Sequence, residues 1–273
     1  MTAVESVYWP VGATVADFSL LDRPAVRQLM FYPRPDSSPP PAGARDLSIQ
    51  GDSGVTLHAR IYPGSAEMPS ILFFHGNGEV VADYDDISML YANAGLNLVV
   101  CEYRGYGQST GRPSYTAMMA DAHATKTSVM AKLDGLGWTH GRYLMGRSLG
   151  ALSALELAAT DPVGFRGMIM ESGASGLLGW ARFVSPGEEG EWAVLAEAQR
   201  ERLAAVRLPL LTIHGAQDQL IPVERALEAH ETAGSSMKEL LVVPGAGHND
   251  LLYAGMRPYF EALTSFVAHC EQD

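Results

Sequence analysis

The strongest constraint on this chain is an alternation. Beyond residue 46, short apolar runs take turns with stretches whose apolar residues recur at helical spacing. Strands are expected at 47–50, 55–62, 70–74, 96–103, 142–145, 167–171, 208–214 and 239–243. Between them stand Tyr84, Ile87, Leu90 and Tyr91, then Met118, Met119, Ala122, Val129, Met130 and Leu133, and at the end Phe260, Leu263, Phe266 and Val267. Strands that are apolar throughout must be covered on both faces, so the pattern predicts an α/β fold, a mostly parallel sheet between two helical layers. Gly51, Asp52, Ser53 and Gly54 separate the first two strands and predict an opening β-hairpin.

The chain divides unevenly. Residues 1–46 read as an N-terminal extension ending in a connector that holds Pro35, Pro39, Pro40 and Pro41, where each proline removes a donor and fixes φ. Whether the segment before that connector is a short helix on the body or a lid is left open. Residues 47–273 form one domain. Within it, 172–207 takes about thirty-five residues to join two strands, where a crossover needs roughly a dozen. A small cap of two short helices is expected there, carrying Leu177, Leu178, Trp180 and Phe183. These four could line an apolar acyl pocket or simply dock the cap onto the sheet.

Charge excludes some partners. With 19 Lys+Arg against 31 Asp+Glu, the net charge of −12 disfavours nucleic acid and anionic membranes, which attract basic surfaces. No apolar stretch approaches the eighteen or so residues of a membrane span, and the N-terminus has no basic, apolar leader. Cys101 reads as a buried strand residue and Cys270 as a helix residue, with no disulfide framework or metal site. The expectation is a reduced, cytoplasmic protein, with a homo-oligomer left open.

The chemistry lies at the strand ends. The strand at 142–145 runs into Gly146, Arg147, Ser148, Leu149 and Gly150, a G-x-S-x-G turn between strand and helix. That setting lifts Ser148 clear at a helix N-terminus, which favours developing negative charge. Serine needs a base. His248, on a Gly-flanked loop after the last strand, can reach it, whereas His58, His123, His140, His230 and His269 read as surface or packing residues. The acid that would hold the base is Asp218, on the loop after the strand at 208–214; Glu171 is its rival. The strand at 70–74 ends in a turn whose Asn77 N–H, with the Leu149 N–H, would form a two-donor oxyanion hole. Glu79 reads as a helix-start residue.

With those residues in place the chain resembles the α/β-hydrolase superfamily from about residue 47 to its end. It is most similar to the branch with HGNGE at 75–79, EYRGYGQSTG at 102–111, GRSLG at 146–150, HG-x-x-D at 214–218 and GAGHND at 245–250. The resemblance implies an eight-stranded, mostly parallel sheet with helices on both faces, and hydrolysis without a cofactor. A serine at the elbow, where related enzymes of other chemistry carry a carboxylate, implies acyl transfer to water. A carboxylesterase acting on a small-molecule ester of small or medium acyl length is the leading expectation. A peptidase or thioesterase on the same residues is the alternative; a peptidase would need a carboxylate such as Glu79 or Glu171 to take the substrate amine. A non-catalytic binding module is the remote third reading.

Overall fold

The computed structural model describes residues 18–173 and 189–272. Its centre is one eight-stranded sheet in the order β1-β2-β4-β3-β5-β6-β7-β8. The strands are β1 (Arg45–Gln50), β2 (Thr56–Ile61), β3 (Ser70–Phe74), β4 (Asn97–Cys101), β5 (Arg142–Arg147), β6 (Gly167–Glu171), β7 (Leu210–Gly215) and β8 (Lys238–Val243). β2 is antiparallel to both its neighbours, and every pairing from β4 to β8 is parallel. All eight expected strands are present, with no end moved by more than two residues. The turn between β1 and β2 is a 3-10 turn in which Ser53 takes a positive φ of 53°.

Why the central strands carry no polar alternation is plain from the packing. In β3, Leu72 and Phe74 enter one core while Ile71 and Phe73 enter the other. Successive side chains point to opposite faces, and both faces are dry. The helices are α1 (Pro24–Met30), α2 (Ser88–Asn93), α3 (Tyr115–Gly135), α4 (Gly150–Thr160), α5 (Glu189–Ala205), α6 (Val223–Thr232) and α7 (Leu251–Gln272). The first core lies under α3, α4 and α5, and the second under α2 and α7. Cys101 and Cys270 are both buried free thiols. Among the described residues no helix is long and apolar enough to cross a membrane.

The structure adds detail to three of the sequence readings. The stretch around Tyr84–Tyr91 splits into a 3-10 turn at Val81–Tyr84 and the short α2. The described part of the expected cap is a single long helix, α5, which packs on α4 and α6 through buried Trp192, Leu195, Ala198 and Leu203. Leu177, Leu178, Trp180 and Phe183 lie outside the described residues. Finally, of the two forms left open for the segment before the Pro-rich connector, the described residues take that of a short helix packed on the body. A 3-10 turn at Phe18–Asp22 and α1 bury Leu20, Leu21, Val26 and Met30 in the first core, and Phe18 stacks on Tyr115 of α3 at 5.1 Å. Each such aliphatic residue, fully buried, contributes roughly 1.5–3 kcal/mol, so this segment is part of the domain's stability.

Candidate active site

Parallel strands send their C-terminal ends to one edge of the sheet. Register makes this concrete: Phe74 pairs with Gly146, Arg147 with Glu171, and Gly215 with Val243. The loops that follow these residues carry Asn77, Ser148, Leu149, Asp218 and His248.

Ser148 stands at φ 51°, a left-handed conformation that costs a non-glycine residue roughly 1–3 kcal/mol. The surroundings enforce it. Its N–H donates to the Glu171 carbonyl at 2.9 Å, and its own carbonyl accepts from the Ala151 N–H at 3.1 Å. Strand and helix approach so closely that a Cβ at Gly146 would strike the backbone of Gly150 and Ala151. One at Gly150 would strike the Phe74 carbonyl.

His248 reaches back from the loop after β8. Its Nε2 lies 2.9 Å from Ser148 Oγ and its Nδ1 2.7 Å from Asp218 Oδ2. As a carboxylate, Asp218 can only accept, so Nδ1 carries the proton and Nε2 is left to accept from the serine hydroxyl. The carboxylate is itself fixed: Oδ1 accepts from the Leu220 N–H at 2.9 Å and the Ile221 N–H at 2.8 Å, and the side chain is fully buried. His214 Nε2 donates to the Ile221 carbonyl at 2.8 Å and lies 3.3 Å from Asp218 Oδ2. Asp250 accepts from the Gly247 N–H at 2.6 Å, which shapes the histidine loop.

Glu171, the rival acid, is not near the imidazole in bonding terms. Its Oε1 accepts from Arg147 Nε at 3.1 Å and its Oε2 from the Tyr259 hydroxyl at 2.7 Å. Burial raises its carboxyl above the usual range, against the pull of Arg147. Glu79 does not start a helix. It accepts from the Gly76 N–H at 2.7 Å and the Tyr84 hydroxyl at 2.6 Å, and it pairs with Arg147.

The Asn77 turn follows β3 and the Leu149 turn follows β5, each three residues beyond the register pair Phe74 and Gly146. What the sequence did not disclose is the work of the Asn77 side chain. Its Nδ2 donates to the Met30 carbonyl at 3.0 Å, and its Oδ1 accepts from the Tyr32 N–H at 2.9 Å and the Tyr106 hydroxyl at 2.6 Å. Arg34 Nε adds a bond to the Gly78 carbonyl at 3.2 Å. The N-terminal segment is therefore stapled to this turn. Arg147 is the other omission, since the elbow motif assigns its position no residue type and no role. Two glutamates at the edge where the strands end, Glu79 in the turn after β3 and Glu171 at the end of β6, were the signal that could have found it.

His75 lies fully buried beneath the same turn, its ring 4.7 Å from that of Tyr103, with Nδ1 donating to the Gly76 carbonyl at 2.8 Å. Burial pushes its pKa below the ordinary value, so the folded ring is neutral, while the unfolded chain takes up a proton below about 6.5. The unfolded state then binds more protons, so stability rises with pH and is lost as pH falls through that value. His75→Asn keeps a donor for Gly76 and removes that dependence. Urea unfolding at pH 7.5 and 5.0 should show a shallower acid loss in the variant; equal losses would disprove the assignment.

The comparisons with known proteins agree with this architecture. A family model described as "Serine aminopeptidase, S33" matches residues 67–184. An esterase from Pyrococcus furiosus superposes with a TM-score of 0.68 at 18% identity, covering 87% of this chain and 99% of that one. The chain has the fold of the α/β-hydrolase superfamily. Est1E from Butyrivibrio proteoclasticus, solved with ferulic acid, shares this α/β-hydrolase fold with a TM-score of 0.67 at 18% identity, covering 83% of this chain and 100% of that one. By sequence, an uncharacterized protein of Mycobacterium tuberculosis is 28% identical over 258 residues, 88% of this chain and 86% of that protein. The α/β-hydrolase domain-containing protein aho-3 of Caenorhabditis elegans is 30% identical over 203 residues, 72% of this chain and 57% of that protein.

Proposed function

We propose that this α/β-hydrolase chain is a serine carboxylesterase that cleaves small or medium acyl esters through an acyl-enzyme on Ser148. One observation carries the reading: a strained serine, an imidazole and a buried carboxylate joined by hydrogen bonds of 2.9 and 2.7 Å, in the order that activates the hydroxyl. Ser148 Oγ attacks the acyl carbon while His248 Nε2 takes its proton. The resulting imidazolium is stabilised by Asp218, and the oxyanion by the N–H groups of Asn77 and Leu149. The acyl–oxygen bond then breaks as His248 returns the proton to the leaving alcohol. Water, deprotonated by the same imidazole, attacks the acyl-enzyme; the acid leaves, and Ser148 regains its proton.

The matching family model bears an aminopeptidase description, which makes a peptidase the reading to weigh against this one. Taking up a substrate amine needs a carboxylate free to pair with it. Glu79 and Glu171 are both engaged by Arg147, and their other oxygens accept from tyrosine hydroxyls. That engagement favours an uncharged ester. The Pyrococcus furiosus esterase that shares this fold points the same way.

The test is a series of p-nitrophenyl esters from C2 to C12 set beside aminoacyl p-nitroanilides. Turnover of esters is expected, with none of the anilides above background, and the best chain length sizes the acyl site. Anilide hydrolysis with inert esters would replace this reading with the peptidase one.

A further inference from the structure

Four pieces of the site leave four different strands, and one side chain touches all of them. Arg147 is the last residue of β5 and immediately precedes the serine. Its Nε donates to Glu171 at the end of β6, at 3.1 Å, and its Nη1 to Glu79 in the turn after β3. Its Nη2 donates to the His248 carbonyl at 3.0 Å and to Asn249 Oδ1 at 3.1 Å, in the loop after β8. Glu79 in turn accepts from the Gly76 N–H, so it fixes the His75–Gly76 peptide at the start of the turn that carries Asn77. The guanidinium is largely buried, and although burial disfavours its charge, Glu79 and Glu171 outweigh that and raise its pKa.

We infer that Arg147 is a positioning residue that holds the His248 loop and the Asn77 turn in register with Ser148. The inference rests on the serine hydrolase reading above. Physically, the need is geometric. The loops after β3 and β8 are separated in the sheet by β5, β6 and β7, so no ladder of hydrogen bonds joins them. A planar fork with five donors spans that gap, and an ammonium, which lacks the fork, does not. Displacing a reacting group by about 1 Å costs on the order of 10²-fold, so the effect belongs in kcat rather than in substrate affinity.

The experiment compares wild type with Arg147→Lys and with the triple variant R147M/E79Q/E171Q. The lysine keeps the charge between the glutamates; the triple variant removes all three charges and leaves none buried alone. Three quantities are read: kcat and KM on the best ester, the rate at which a fluorophosphonate labels Ser148, and the downfield proton resonance of His248 Nδ1–H. Arg147→Lys should lower kcat and the labelling rate by about 10- to 100-fold, keep KM within about threefold, and shift or broaden the imidazole proton. The triple variant should fall at least as far. Wild-type values for the lysine in all three readouts would overturn the inference, as would a change confined to KM. Should the lysine variant fail to fold, the triple variant decides by the same criteria. Should wild type neither hydrolyse esters nor take the label, the esterase reading has failed. The imidazole resonance then still decides whether Arg147 holds the loop.

Discussion

Replacing Ser148 with alanine is expected to lower kcat by about 10⁶ while the protein stays folded. The size follows from how the three groups act. The imidazole and carboxylate exist to move one proton, and without the hydroxyl there is no nucleophile for them to serve. What survives is the small contribution of binding and of the N–H groups around the oxyanion. The fold survives because alanine at φ 51° is no more strained than serine, and both anchoring bonds of residue 148 come from its backbone. Ser148→Gly sharpens the point. It should be equally inactive yet more stable by roughly 1 kcal/mol, because glycine adopts positive φ without penalty. Ester hydrolysis and thermal unfolding of the three proteins check both halves. Substantial activity in either variant would remove Ser148 from the chemistry.

The second large effect separates the two acids. Asp218→Asn should lower kcat by about 10⁴. Oδ1 is held by the Leu220 and Ile221 N–H groups, so in the variant the oxygen stays there and the amide nitrogen faces His248 Nδ1. Two donors then oppose each other. The ring relieves this by moving its proton to Nε2, where it donates to Ser148 and can no longer accept from it. Glu171→Gln should cost less than about tenfold, because it retains an oxygen for Arg147 and its new amide can donate to the Tyr259 hydroxyl. Single-turnover kinetics on the best ester compare the two directly. A loss from Glu171→Gln that matched the loss from Asp218→Asn would reverse the assignment of the acid.

Much of this was legible along the chain. Apolar runs such as Ser70–Phe74 and Gly167–Glu171 cannot face water on either side, so the two-faced sheet followed from residue type alone. Gly146 and Gly150 around Ser148 declared a turn too tight for a side chain, and the structure shows the backbone atoms that a Cβ would strike. Asp218 and His248 could be picked out because each follows a strand, and parallel strands bring the loops at their C-terminal ends to one edge.

The less legible features all concern which of those loops touch. Glu171 and Asp218 occupy equivalent places in the sequence pattern, each just past or at a strand end. Only the third dimension sends one to Arg147 and Tyr259 and the other to His248. The staple between Asn77 and the segment at Met30 and Tyr32 and the guanidinium of Arg147 are of the same kind. Secondary structure and the sheet's cover are dictated by periodicity, a local property that the chain carries residue by residue. The partner of a buried polar group is set by distances between loops remote in sequence, and those distances exist only once the sheet has aligned its strand ends. The amino-acid sequence alone thus determined the layers, the elbow and the three residue types of the site. The tertiary structure alone decided which acid serves the histidine and what holds the loops together.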